Sequence, residues 1–298
     1  MKLLIVFLIF IINFTNCKTN YDDLANGIYK GDKLVVYGVL DNENGCIVKI
    51  SHSVQPVGKT TDLLFVTNAR IVLYENGDSI TSNFKGRQEL YVGYFYPDST
   101  IKAKVGAKYK IKVSAPGYQT VESEEQIFLE KPNVHDTSTV LGKGDIYGNK
   151  FYIFKAHLFF DSTQTYYYVI STLTESDTSA ATTNYTTNLD SKLKTCDSYI
   201  YRLIPFFGSS NCFYSGEEII WNIGFSKRPN PNTKKIPSTL TLRFSAISKI
   251  YFDYGKSLNQ PESPQDLIFR EPNAAVNNIK NGYGYFYTKN TFLFTKKI

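Results

Sequence analysis

Lys108-Tyr109-Lys110-Ile111-Lys112-Val113-Ser114-Ala115 is the stretch from which the fold of this 298-residue chain is read. Tyr109, Ile111, Val113 and Ala115 alternate with Lys108, Lys110, Lys112 and Ser114, the period-two pattern of a strand with one apolar face and one wet face. Pro116, Gly117 and Tyr118 then turn the chain back into Gln119 to Leu129.

The same pattern recurs toward the N-terminus. Leu34 to Leu40 reads as a strand, Asp41 to Gly45 as a turn, and Cys46 to Ser53 as the returning strand, with Cys46, Val48 and Ile50 on one face against Lys49 and Ser51 on the other. Ala69 to Tyr74 runs into Glu75-Asn76-Gly77-Asp78, where Asn-Gly supplies the positive φ angles of a tight hairpin. Leu90 to Tyr96 adds another strand. About seven strands with turns every eight to twelve residues describe a sandwich of roughly 100 residues, here 32–131. Ala69 to Tyr74 before its Asn-Gly turn, together with Tyr109 to Tyr118, resembles the transthyretin-like or carboxypeptidase-regulatory sandwich, which implies an Ig/transthyretin-like module without catalytic duty.

Toward the C-terminus, Val134 to Lys143 and the aromatic run Lys150 to Asp161 open a larger antiparallel β-rich domain, 132–298. Thr165 to Leu173 is expected to pair with the second of these. Between Ser171 and Thr195, twelve of twenty-five residues are Ser or Thr, too little apolar material to bury a face, so a long mobile loop is expected. Strands resume at Tyr199 to Phe207, Cys212 to Tyr214, Glu218 to Phe225 and Ser238 to Phe244, with a Pro-marked turn at Arg228 to Lys235. Ser245 reads as the N-cap of an amphipathic helix over about 246–259, because Ile247, Ile250, Tyr251, Tyr254 and Leu258 recur at spacings of three and four and Pro261 closes the pattern.

Composition agrees with a mainly β chain. The chain carries 23 Tyr and 21 Phe but a single Met and a single Trp, with 42% hydrophobic residues, a usage that favours strands. The formal charge of +6 falls to +5 once Lys2 is removed with a leader, too small and dispersed to argue for nucleic acid. Lys2 precedes ten apolar residues, Leu3 to Ile12, and then Asn13 to Asn16 and Cys17. That run is a secretory signal, since a membrane-spanning helix needs about twenty residues. Phe14-Thr15-Asn16-Cys17 resembles a lipobox, which makes Cys17 a lipidation site and 18–31 a tether. The alternative is an ordinary signal-peptidase cut that releases a soluble chain. Of the other cysteines, Cys46 lies on an apolar strand face as a buried small hydrophobe. Cys196 and Cys212 bracket a short segment whose spacing allows a disulfide but does not place their Cα atoms.

Ser248, Tyr251, Tyr254, Ser257 and Leu258, then Phe269-Arg270-Glu271-Pro272, then Asn278-Ile279 with Asn281, Gly282, Gly284 and Phe286, follow one another in an order that resembles the domain of unknown function 4249 family of Bacteroidetes lipoproteins. Leu34-Val35-Val36-Tyr37-Gly38 fits that family's opening strand, so the resemblance spans nearly the whole mature chain. The chain departs from the pattern at Tyr283, where an aliphatic residue is usual, and in the Ser/Thr-rich segment. The resemblance implies a lipid-anchored protein of the outer membrane or cell surface, on either the outer or the periplasmic side, often encoded beside a TonB-dependent transporter, with no assigned activity.

No catalytic constellation, cofactor motif or metal spacing emerges from the residues. His52, His135 and His157 stand far apart in sequence, and no phosphate loop or nucleophile elbow is present. Binding is left to surfaces. Lys108, Lys110 and Lys112 form a basic strand face suited to phosphorylated headgroups, although such faces are usually just solvated. Tyr283 and Tyr285 offer flat apolar rings to sugars or peptides, although strand alternation puts half of such rings inside. Gly282 and Gly284 are read as a backbone-packing pair. The expected role is a non-catalytic accessory or binding subunit whose partners are the membrane, through the lipid, and a TonB-dependent transporter. The rivals are a surface hydrolase and an adhesin.

Overall fold

The computed structural model describes residues 32–53, 66–89, 92–97, 101–141, 150–160, 167–175, 184–189, 198–200, 206–212, 215–225, 239–258 and 276–297. The described residues begin with β1 (Leu34–Asp41), β2 (Gly45–His52), β3 (Arg70–Glu75), β4 (Asp78–Thr81), β5 (Phe84–Glu89), β6 (Val92–Pro97), β7 (Lys108–Ser114), β8 (Val121–Ser123) and β9 (Gln126–Ile127). It continues through β10 (Asn133–Leu141), β11 (Lys150–Phe159), β12 (Tyr167–Glu175), β13 (Asn184–Leu189), β14 (Ser198–Ile200), β15 (Phe206–Ser209), β16 (Glu218–Phe225) and β17 (Thr239–Ile247). The helix α1 (Lys249–Leu258) and the strands β18 (Ile279–Lys280) and β19 (Tyr283–Lys297) follow.

These strands form three sheets. Nine strands lie in the order β14-β15-β12-β17-β19-β1-β2-β6-β5, four in the order β10-β11-β16-β13, and β18-β8-β7-β3-β4 make the third with β9 beside β7. Pairing is antiparallel except between β1 and β19, which run parallel from Val35↔Tyr283 to Asp41↔Lys289. From Lys289 onward β19 pairs instead with β17. This one 15-residue strand therefore joins the N-terminal strands to the C-terminal ones within a single sheet.

Alternation sorts the side chains. Tyr109, Ile111 and Val113 of β7 are buried, as are Val36 and Leu40 of β1, Val48 and Ile50 of β2, and Phe286 of β19, and all belong to one core between two facing sheets. Burying each such side chain contributes about 1.5–3 kcal/mol. Residues 32–131 do not complete this core by themselves, because Ile279 and Phe286 enter it from the far end of the chain. The same face of β19 and β17 meets the four-stranded sheet further along, where Phe154 of β11 packs 5.5 Å from Phe244 and 5.3 Å from Phe294 between ring centroids. The opposite face carries α1, whose Phe252 is buried among Val169, Phe207 and Ile247.

The Asn-Gly turn forms as expected, with φ of 51° at Asn76 and 93° at Gly77. Cys46 is buried and free. Other expectations change. The strand at 167–175 pairs with β15 and β17, not with β11, whose two edges are taken by β10 and β16. Within the Ser/Thr-rich segment β13 forms on the edge of the four-stranded sheet against β16. An edge strand needs ladder bonds on one side only, and the β-branched Thr of this segment suits an extended backbone. Cys212 ends a 3₁₀ turn, Ser210–Cys212, rather than starting a strand. Ser245 is not a cap: it lies within β17 and its hydroxyl bonds Thr291 at 2.9 Å. Ser248 precedes the helix, and its backbone carbonyl accepts from the Tyr251 amide at 3.1 Å. The expected turn at Arg228 to Lys235 and the Phe269 to Pro272 motif lie outside the described residues.

Candidate functional site

The outward face of β1 and β19 carries a row of aromatic rings because two parallel strands in register place equal parities side by side. Tyr37 stands opposite Tyr285, and Val39 opposite Tyr287. On the other side of β1, Lys49 and Ile47 of β2 face the same two positions. The helix α1 lies across this face and contributes Tyr251 and Tyr254, three residues apart and so on one side of the helix. Its start is fastened to β19. The Thr288 amide donates to the Ser248 hydroxyl at 2.9 Å, and the two hydroxyls bond at 2.7 Å. Because the Thr288 hydroxyl donates to the Ile127 carbonyl at 2.6 Å, Ser248 is the donor between them.

Helix and sheet leave between them a cleft of about 560 Å³, lined by Tyr37, Val39, Ile47, Lys49, Tyr96, Tyr251, Tyr254, Tyr285 and Tyr287 with the Gly38 backbone. Tyr251 and Tyr287 stack nearly parallel, with ring centroids 4.0 Å apart and 4° between their planes. Tyr254 sits 4.4 Å from Tyr285, and Tyr37 meets Tyr285 edge to face at 5.0 Å and 66°. Such ring pairs contribute about 0.5–1.5 kcal/mol each beyond their buried area. The hydroxyls pair as well, Tyr285 with Tyr254 and Tyr287 with Tyr251. Burial pushes the phenols of Tyr285, Tyr287 and Tyr251 upward, and neighbouring phenols add to the shift of the first two. Tyr37 is raised too, by its partial burial and then by Tyr254. These groups stay neutral at physiological pH, so they donate and accept hydrogen bonds rather than act as bases.

One step further along the two strands, Asp41 faces Lys289 at 3.7 Å, and Lys289 also reaches Glu43 at 3.8 Å. Arg243 of β17 closes on Glu43 at 3.5 Å. Asp41 is buried, and its carboxylate accepts from the amides of Glu43 and Asn44. Two carboxylates against two cations leave this end of the row balanced, and the hydrogen bonds from the turn compensate the buried charge.

The residues expected as a binding surface are not gathered together. Lys108, Lys110 and Lys112 lie on the outer face of β7, away from Tyr285, with the hydrophobic core between. Lys110 bonds Glu122 at 2.5 Å, Lys108 lies 3.9 Å from Glu125, and Lys112 stands opposite Glu122 in the ladder. Tyr283 is exposed, with the Lys33 ammonium 5.2 Å from its ring centre. Tyr285 alone of the five lines the cleft. Its companions Tyr37, Tyr96, Tyr251 and Tyr254 were legible as strand or helix residues; only the β1–β19 pairing, remote in sequence, assembles them. Cys17 and Cys196 lie outside the described residues, and Cys212 is described in its backbone alone.

His135 and His157, far apart in sequence, are directly opposite in the β10–β11 ladder. Among the described residues no group of three or more His, Cys, Asp or Glu is placed to hold a metal ion, and no helix is long and apolar enough to cross a membrane. A family model described as "Domain of unknown function (DUF4249)" matches residues 19–292. Among curated proteins no sequence matches the chain.

Proposed function

The chain belongs to the domain of unknown function 4249 family, and from that membership we propose that it is a non-catalytic binding subunit, exported, held on the outer membrane through Cys17, and working beside a TonB-dependent transporter. The single observation that carries the binding role is the tyrosine cleft: a concave site with apolar walls and convergent hydroxyls, within the ~300–1,000 Å³ typical of small-molecule sites. Its phenols are set to hold a ligand rather than to move protons. The anchor rests on Leu3 to Ile12 followed by Cys17, with acyl chains adding about 0.8 kcal/mol for each buried methylene.

The test is gentle detergent extraction of the native, tagged protein, with mass spectrometry of its N-terminus and of whatever co-purifies. An acylated Cys17 accompanied stoichiometrically by one transporter supports the role. An unacylated N-terminus with no partner overturns it.

A further inference from the structure

The lining of the tyrosine cleft also speaks to its ligand; this step rests on the cleft being the binding seat. A phenol joins a flat apolar ring to a hydroxyl that both donates and accepts. A pyranose ring has the same duality, with a face of C–H groups and a rim of hydroxyls that both donate and accept. The rings are not equally available. Tyr251 and Tyr287 spend their facing surfaces on each other, whereas Tyr37 is 38% exposed at the mouth. Lys49 is the sole charged residue among the described residues lining the cleft. The burial that raises the phenols of Tyr37, Tyr251, Tyr285 and Tyr287 also opposes the entry of an unscreened charge.

We propose that the cleft binds a neutral carbohydrate, one pyranose ring stacking on Tyr37 while Tyr254 and Tyr285 hydrogen-bond its hydroxyl groups. Among tyrosines the division of labour is then specific: the ring of Tyr37 matters more than its hydroxyl, and Tyr283, outside the cleft, does not matter.

The experiment is isothermal titration calorimetry of the purified mature chain. The probes are cellotetraose, maltotetraose, mannotetraose, xylotetraose and chitotetraose, with 2,3-dihydroxybenzoate and trialanine for comparison. The expected result is that at least one tetrasaccharide binds. Tyr37→Ala then weakens it by about tenfold, the scale of one aromatic contact, while Tyr37→Phe and Tyr283→Ala leave it close to wild type. Tyr37 is partly exposed, so Tyr37→Ala should keep its circular dichroism and melting profile; should it unfold, Tyr254→Phe, which keeps the ring and removes one hydroxyl, reads the same site. Binding of 2,3-dihydroxybenzoate or trialanine alone, with Tyr37 dependence, overturns the carbohydrate assignment and leaves the cleft as a binding seat. Saccharide binding indifferent to both Tyr37→Ala and Tyr254→Phe overturns the cleft itself, and silence of every probe overturns the assignment.

Discussion

Gly284 of β19 runs so close to β1 that a Cβ built on it would stand 2.0 Å from the carbonyl oxygen of Val36. Its φ of 107° is also one that L side chains rarely adopt. Gly282, two residues earlier, would place a Cβ 2.7 Å from the Leu34 carbonyl oxygen. Asn278 completes the device: its side chain donates to the Phe286 carbonyl and accepts from the Phe286 amide, both at 2.9 Å. The Asn-Ile…Asn-Gly-x-Gly-x-Phe motif thus fastens the last strand to the first. Gly284→Ala is expected to cost more than about 3 kcal/mol, since backbone strain and a clash with main chain combine. Gly77→Ala has φ of 93° but nothing within 4 Å, so it should cost only about 1 kcal/mol. Urea unfolding of both variants measures the difference; equal losses would contradict the crowding account.

The Tyr251–Tyr287 stack is expected to couple helix and sheet energetically. A double-mutant cycle with Tyr251→Leu and Tyr287→Leu should return a coupling of about 0.5–1.5 kcal/mol. Coupling near zero would mean that α1 is held by Phe252, Ser248 and the Tyr254–Tyr285 contact rather than by this stack.

Stability should fall at both ends of the pH scale for a reason centred on Glu75. Its carboxylate accepts from Lys104 and from the Tyr109 hydroxyl, each at 2.6 Å. The Lys104 bond first and the Tyr109 bond second hold it below the ordinary value of 4.5. A depressed folded value stabilises above the unfolded one, so this contribution is present at neutral pH and is lost as pH falls below about 4.5. Tyr109 behaves oppositely. Burial and then the Glu75 bond push its hydroxyl up to about 12. Its contribution is complete below the ordinary value of 10 and fades as pH rises toward 12. Urea midpoints from pH 3 to 11.5 should therefore form a plateau with two shoulders, and Glu75→Gln should flatten the acid one.

The basic face of β7 is expected to be electrostatically quiet. Lys110 and Glu122 are both partly exposed, and such pairs contribute at most about 1 kcal/mol; Lys110→Ala should change stability by no more than that. Flotation of the unacylated mature chain with phosphatidylglycerol vesicles at low salt should recover no more protein than neutral vesicles do. Replacing Glu75, Glu122 and Glu125 by Gln should raise that recovery, because it removes the anions that neutralise Lys104, Lys108, Lys110 and Lys112.

Alternation made the strands legible wherever one face meets a core: Tyr109, Ile111 and Val113 are buried as their spacing predicts. It was silent where a strand exposes most of its side chains, as in β4. Pairing between distant strands was the larger omission. Nothing local to Leu34 to Asp41 announces a parallel neighbour at Tyr283 to Lys289, and the cleft exists only because that register sets Tyr37 beside Tyr285. Apolar spacing predicts the helix, but its first turn lies at Lys249 rather than 246, because Ser245, Ala246 and Ile247 suit the end of β17 as well as the start of a helix. Tyr285 lines the cleft and the lysines of β7 do not, since parity on one strand says which face a residue takes but not which sheet lies opposite.

Gly38 and Phe286 offer a compensating pair that tests the shared core directly. They are register partners across the β1–β19 ladder. A Cβ on Gly38 would lie 2.8 Å from the Phe286 ring and 3.0 Å from Ile111 of the facing sheet. Phe286 is fully buried and cannot swing aside, so Gly38→Ala should cost about 1–3 kcal/mol by overpacking. Phe286→Leu should be costly alone, because it removes ring volume from the same place. Combined, the two should destabilise less than the sum of the single changes, as the new methyl group fills part of the space the ring vacates. Additive losses in urea unfolding would show that the two sites do not share a packing volume, and would separate the C-terminal strand from the N-terminal core.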